Sequence, residues 1–297
     1  MEKKTDKQKN VNIDHNDDYT ESVIRFDQLS WKQIAGLDAS KTIFFLPISP
    51  LEEHGPHLPV GTDFITAQDT SIAAIKKLQK NYPSYTYVLL PAIPLGFADF
   101  NTDFPGTVSV SSRVVKQVVY QYGKMLANSG FQHFMICTYH MALVHLKGIY
   151  AAMNKLRRKY DMNVCEPWSP RFHSDTIAEQ EPVVDFDTHT EVHAGFRETS
   201  LMTYSHPALV DDSFKKLPLV YTEKVMSPAI IFNSFKKLGV TDGYIGTPAK
   251  ANASYGKWFF HFTVHAYSDA AEKMIKNEPL PDLPKKIKRR MNLLFWL

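Results

Sequence analysis

Short, unbroken apolar runs separated by helical periods constrain this chain most. Thr42-Ile43-Phe44-Phe45-Leu46 has no polar alternation and stops at Pro47. A run of that kind suits a strand covered on both faces, the environment of a parallel sheet. Tyr87-Val88-Leu89-Leu90 before Pro91 repeats the pattern, as does Phe134-Met135-Ile136-Cys137. Met162-Asn163-Val164-Cys165 before Pro167 is a weaker fourth run. Between them, Ile65, Ile72 and Ile75 mark a helix starting near Asp63. Val114, Val118, Tyr122 and Leu126 recur every four residues, flanked by Val115 and Val119, until Gly130 stops that helix. Leu146, Ile149, Met153 and Leu156 step by three and four and give one apolar face. Strands alternating with helices of this length predict an α/β fold with a mostly parallel sheet covered on both sides.

A chain of 297 residues has room for one or two domains. No internal repeat or low-complexity linker divides it. The economical division is a disordered polar tail at 1–22, a single domain at 23–280 and a basic, then apolar, tail at 281–297. With 44% hydrophobic and 22% charged residues, wholesale disorder is excluded. Two cysteines, Cys137 and Cys165, exclude a disulfide framework and a four-thiolate zinc site. A net charge of +3 is too weak to argue for a nucleic-acid partner. The amino terminus is charged and lacks the apolar core of a secretory signal. No stretch approaches the roughly 20 apolar residues of an integral membrane segment. The expected location is cytoplasmic. Lys285-Lys286-Ile287-Lys288-Arg289-Arg290 followed by Met291-Asn292-Leu293-Leu294-Phe295-Trp296-Leu297 has two readings. It packs on this or a neighbouring subunit, or it touches an anionic membrane surface.

Ligands of parallel sheets sit beyond the carboxyl ends of the strands. The segment after the first run, residues 47–63, carries Glu52, His54, His57 and Asp63 among four prolines and two glycines. Glu52 and His54, two apart, share a side if the segment is extended. Asp63 falls at a helix start, where a carboxylate is favoured by free N–H groups. Imidazole mixed with carboxylate suits zinc, manganese or iron, and a bridging carboxylate would set two ions about 3.5–4 Å apart. The competing reading is a Pro-rich loop with surface charges. The third run ends at Thr138-Tyr139-His140, where His140 is either a ligand or a structural histidine. Farther on, His193 and Glu198 are five apart and cannot share one helical face. With His193 in a loop and Glu198 in a first helical turn, both could reach one pocket. Glu198 alone is equally an ordinary first-turn acid.

Glu-x-His-Gly-Pro-His-Leu-Pro-x-Gly-Thr-Asp at 52–63 resembles the signature of the creatininase (creatinine amidohydrolase) family. His193-Ala-Gly-x-x-Glu198-Thr-Ser is similar to its second signature, Pro94-Leu95-Gly96 with Phe104-Pro105-Gly106-Thr107 to a third block, and Gly246-Thr247-Pro248 to a fourth. The resemblance spans roughly residues 25–275. It implies a three-layer α/β/α sandwich, a site with two divalent metal ions per subunit, hydrolysis of carbon–nitrogen amide bonds, and a homo-oligomer, often a hexamer. Carried over by motif, Glu52, Asp63 and His140 hold one ion, and His54, Asp63 and Glu198 hold the other. Family members usually read Asn-Gly-His-Gly-Gly-Asn at the third-strand histidine, and creatinine-cleaving members follow it with an aromatic and an acid. Met141 and Ala142 stand there instead, so creatinine itself is not the expected substrate.

The expected reaction is attack of hydroxide, available at neutral pH between two metals, on the carbonyl of a small cyclic or linear amide. His193 is the candidate to pass a proton to the leaving nitrogen, with orientation of a ligand carboxylate as its alternative. His57 is read as supporting a ligand through a ring nitrogen. Gly106 and Met141 are candidates to contact the substrate or to support a ligand, and Trp168 and His189 to line the substrate mouth, with core packing the alternative for Trp168. Two rival functions stand beside the amidase: a peptidase of the same family, and a metal-binding but inactive scaffold.

Overall fold

β1 (Ile24–Arg25) opens the chain of the computed structural model, which describes residues 23–293 apart from 228–229 and 231–232. Residues 1–22, read as a polar tail, and residues 294–297 lie outside the described residues. α1 (Trp31–Ala35) follows behind a Ser30 capping box. β2 (Thr42–Ser49) is buried at every position and runs past Pro47, where the sequence pattern stops it. Side-bonding parity explains the extension. The Phe45 carbonyl accepts from Leu90 N on the side of β3 (Thr86–Leu89), and two residues on, Pro47 faces that same side, beyond the end of the β3 ladder. Its missing N–H therefore costs no ladder bond.

α2 (Thr62–Asn81) connects β2 to β3, and β4 (Ile93–Pro94) then pairs with the end of β2. α3 (Ser112–Asn128) leads to β5 (His133–Cys137), and α4 (Leu143–Tyr160) to β6 (Asn163–Cys165). The strand order is β1-β3-β2-β5-β6, with every pairing parallel. α5 (Trp168–Phe172), α6 (Asp175–Gln180), α7 (Phe196–Ser205), α8 (Ala253–Ile275) and α9 (Lys285–Leu293) complete the described helices. α2 packs on α8, and α8 on α7, while α3 pairs with α4, so the central sheet carries helices on both sides. Among the described residues, no helix is long and apolar enough to cross a membrane.

The α3–α4 contact departs from the sequence reading in one respect. The buried stripe of α3 is Val115, Val119 and Leu126, while Val114 is 40% exposed. A β-carbon on Gly123 would lie 2.3 Å from Leu156 Cδ1, and one on Gly148 would lie 2.5 Å from Ser112 O. The two glycines let the helices approach closely and rotate the inward face by one position. Gly130, at φ 88°, ends α3 as expected, with Phe131 N donating to Leu126 O.

Candidate metal centre

The side chains singled out after the strands converge at the carboxyl edge of the sheet. Glu52 lies three residues past β2, and His140 three past β5. Asp63 is the second residue of α2, and Glu198 is in the first turn of α7. Glu52, His54, Asp63 and His140 are all buried.

Backbone carbonyls fix both imidazoles. His140 Nε2–H donates to Phe97 O at 2.8 Å, which turns Nδ1 toward Glu52 Oε2 and Asp63 Oδ2, each 2.9 Å away. His54 Nδ1–H donates to Glu52 O at 2.9 Å, which turns Nε2 toward Asp63 Oδ1 at 3.4 Å and Glu198 Oε2 at 3.9 Å. Such outer contacts set the tautomer of metal-binding histidines. Two groups of electron-pair donors result, Glu52/Asp63/His140 and His54/Asp63/Glu198, each with its ligand atoms within 4.8 Å of one another. Only a proton or a cation can sit among such atoms. His54 Nε2 and Glu52 Oε2 are buried without a hydrogen bond, and Asp63 offers one oxygen to each group. The donor set fits two divalent ions sharing Asp63. In a third combination, Glu52, His54 and His193, the ligand atoms also lie within 4.8 Å of one another.

The electrostatics agree. Burial alone would lower the His54 imidazole, but Asp63, then Glu198 and Glu52, overcome it and raise the ring to about 10. His140 is likewise held well above its ordinary value: burial is outweighed by Glu52 and Asp63. Burial would raise Glu52, but His140 and His193 bring it below the usual carboxylate range. Glu198 goes the other way, burial dominating over His54 and His193. This is a pocket whose carboxylates hold positive charge tightly.

His193 lies in the loop before α7, with its ring centre 4.4 Å from that of His54. Its Nε2 is 2.7 Å from Glu53 O and 3.6 Å from Glu53 Oε1. Asn101, wholly buried, donates from Nδ2 to Glu52 Oε1 at 2.5 Å and sits 3.3 Å from His193 Nε2. The next residue, Ala194, adopts φ 49°, which aims its N–H at Glu198 Oε2, 2.5 Å away. Glu191 clamps this loop to the fourth block. It accepts from Phe196 N at 2.5 Å and Thr247 N at 2.8 Å, and a β-carbon on Gly195 or Gly246 would come within 2.2 or 2.4 Å of its Oε2.

The remaining candidates scatter. His57 is buried and pairs through Nε2 with Thr199 Oγ1 at 2.8 Å, next to Glu198 in sequence. Burial, then His54, lowers its imidazole to about 4, so it is neutral. Met141 Sδ accepts from Ser169 Oγ at 3.5 Å. Trp168 is buried and stacked on Tyr139, with ring centres 5.7 Å apart, among Phe172, Phe259 and Phe262. Its surroundings are those of a core residue. Gly106 sits at φ 96° against Val60, and His189 is exposed and bonded to Asp187.

Glu53, Asn101 and Glu191 were not singled out from sequence. Glu53 beside Glu52 reads as a surface acid, and a lone Asn in a loop carries no spacing. Glu191, two residues before His193, is the one a closer look at the second motif could have found.

The residue after β6 is also an acid, outside the cluster. Glu166 is fully buried, with Oε1 accepting from Ser169 N at 3.0 Å and Oε2 3.4 Å from Tyr150 Oη. Burial pushes its carboxyl up from 4.5 to about 7. The folded state therefore binds a proton more tightly than the unfolded one, and stability falls as pH rises from about 4.5 to about 7. The loss is of order 3 kcal/mol by linkage. Glu166→Gln is expected to raise the melting temperature at pH 8 and to match the wild type near pH 4.5. Equal melting at pH 8 would refute the assignment.

Comparison with known proteins gives the family. The family model for creatininase, described as creatinine amidohydrolase, matches residues 27–271. A mycofactocin precursor peptide peptidase of Mycobacterium tuberculosis is 23% identical over 249 residues, covering 83% of this chain and 90% of that protein. A creatinine amidohydrolase of Pseudomonas putida is 24% identical over 197 residues, 62% of this chain and 72% of that one. A crystal structure of a creatininase superposes with a TM-score of 0.66 at 21% identity, covering 84% of this chain and 97% of the other. Solved creatininases of similar fold include a manganese form and a Zn–Zn form, each with a TM-score of 0.65. With the model matched over most of its length, the chain belongs to the creatininase family, hydrolases that act on carbon–nitrogen bonds.

Proposed function

We propose that this chain is a dinuclear metal-dependent amidohydrolase, with Glu52, Asp63 and His140 on one ion and His54, Asp63 and Glu198 on the other. The observation that carries the reading is Asp63, which faces one histidine with each of its oxygens. Two divalent ions bound there would supply hydroxide at neutral pH and a Lewis acid for the amide carbonyl. The protein does the rest. Phe97 O and the Glu52 carbonyl hold the two ligand imidazoles in the metal-binding tautomer. Asn101 fixes the Glu52 carboxylate, and Glu53 O anchors His193 through Nε2–H. Nδ1 of His193 is then the position from which a proton passes to the leaving nitrogen. Its imidazole is raised, the lowering by burial and by His54 being outweighed by Glu52 and Glu53, which is the direction a proton donor needs.

The substrate is an amide other than creatinine, because Met141 and Ala142 supply neither the aromatic nor the acid that creatinine-cleaving members place there. A short peptide is the second reading. It is favoured by the likeness to a precursor-peptide peptidase over nine-tenths of that protein's length. The test is chelator-stripped protein reloaded with manganese or zinc and offered formamides, cyclic amides, short peptides and creatinine. Release of amine from an amide or peptide, with creatinine turned over at least ~100-fold more slowly, is expected from the missing acid–base group. Preference for creatinine would overturn the substrate reading. No hydrolysis by fully loaded protein would favour the inactive scaffold.

A further inference from the structure

α9 packs on α4 through Ile287 and the buried Met291, and Lys288 pairs with Asp282. Those contacts use one side of the helix. At about 100° per residue, Lys285, Lys286, Arg289 and Arg290 share the opposite arc, and Leu293 falls in its middle. All five are exposed, Leu293 by 62%. Among the described residues, none of the four cations has an ion-pair partner, and residues 283–297 contain no acid. The sequence continues from Leu293 as Leu294-Phe295-Trp296-Leu297.

We propose that this face of α9 docks the protein on an anionic lipid bilayer. The four cations meet the headgroups, and the apolar residues from Leu293 onward enter the interface. Cations alone would equally suit a nucleic-acid backbone. Leu293, exposed in the middle of the cationic arc and followed in sequence by four further apolar residues, has no use on phosphates, but apolar residues supply the second signal that stable attachment to a bilayer needs. A Trp within that segment suits the headgroup level. The inward stripe of Ile287 and Met291 anchors α9 to the domain, so docking leaves the domain on the membrane surface rather than across it. This inference does not depend on the metal centre.

The test is co-sedimentation of the full chain with vesicles of phosphatidylcholine, or of phosphatidylcholine with about a third phosphatidylserine. Binding is expected on the anionic vesicles alone, and it should weaken steeply as NaCl is raised. Replacing Lys285, Lys286, Arg289 and Arg290 together by glutamine should cost on the order of 10²-fold or more in partitioning, from about five-fold per cation. Leu293→Ser should cost a few-fold and leave the salt dependence unchanged. Circular dichroism checks that the quadruple variant is folded. If it is not, the salt titration of the wild-type chain still decides. Equal binding to the two vesicle types, a quadruple variant that binds like wild type, or binding to duplex RNA without binding to vesicles would each overturn the proposal.

Discussion

Asp63→Asn is expected to lower amide hydrolysis by at least ~10³-fold and to reduce metal content from two ions per chain to one or none. The substitution changes one atom, so shape and packing at the start of α2 are nearly kept. The chemistry is not. Asp63 faces His140 Nδ1 with Oδ2 at 2.9 Å and His54 Nε2 with Oδ1 at 3.4 Å. An amide places an N–H donor against one of these groups and removes the charge that both ions would share. Altering an outer contact of a ligand alone costs about 10–100-fold in affinity or activity, and loss of the shared ligand exceeds that. Metal analysis by mass spectrometry, with melting curves to confirm folding, reads the result. Full occupancy and an unchanged rate would remove Asp63 from the centre of the account.

His193→Asn is expected to behave differently. Proton transfer by a placed side chain contributes about 10²–10⁴-fold, so the rate should fall by that amount while both ions stay bound. The deficit should shrink for an anilide with a good leaving group, because its nitrogen departs without the proton that His193 is proposed to give. This comparison also decides between two roles that the geometry permits. Glu52, His54 and His193 come within ligating distance of one another. If His193→Asn loses an ion, and good leaving groups recover nothing, His193 is a ligand rather than a proton donor.

The architecture was legible where burial leaves a periodic mark. Phe44, Phe45 and Leu46 are apolar because both faces of β2 are covered, and Leu146, Ile149, Met153 and Leu156 are spaced as one buried face of α4. The face of α3 was harder, since valines occupy both candidate stripes and the contact that chooses between them is a missing side chain, Gly123 against Leu156. The end of β2 was misplaced because the proline rule ignores which side of the strand a residue bonds on. Glu52, His54 and Asp63 stand out by residue type in the one loop and helix start after β2, and His140 by its place after β5, whereas Glu198 alone looked like any first-turn acid; the distribution of the five over two groups came from family likeness before the distances bore on it. Asn101, Glu53 and Glu191 were invisible for another reason. Each acts through one contact with a residue far away in sequence, such as Asn101 with Glu52 and Glu191 with Thr247, and no local pattern encodes such a contact. Trp168 shows the converse. Its place between two motif blocks suggested a substrate wall or core packing equally, and its stacking on Tyr139 is that of a core residue.

Anomalous diffraction from crystals of the wild-type chain grown with manganese tests the shared carboxylate most directly. Two peaks about 3.5–4 Å apart, one beside His140 Nδ1 and the other beside His54 Nε2 with Asp63 between them, are the expected result. A single peak, or a pair that Asp63 does not join, would contradict it.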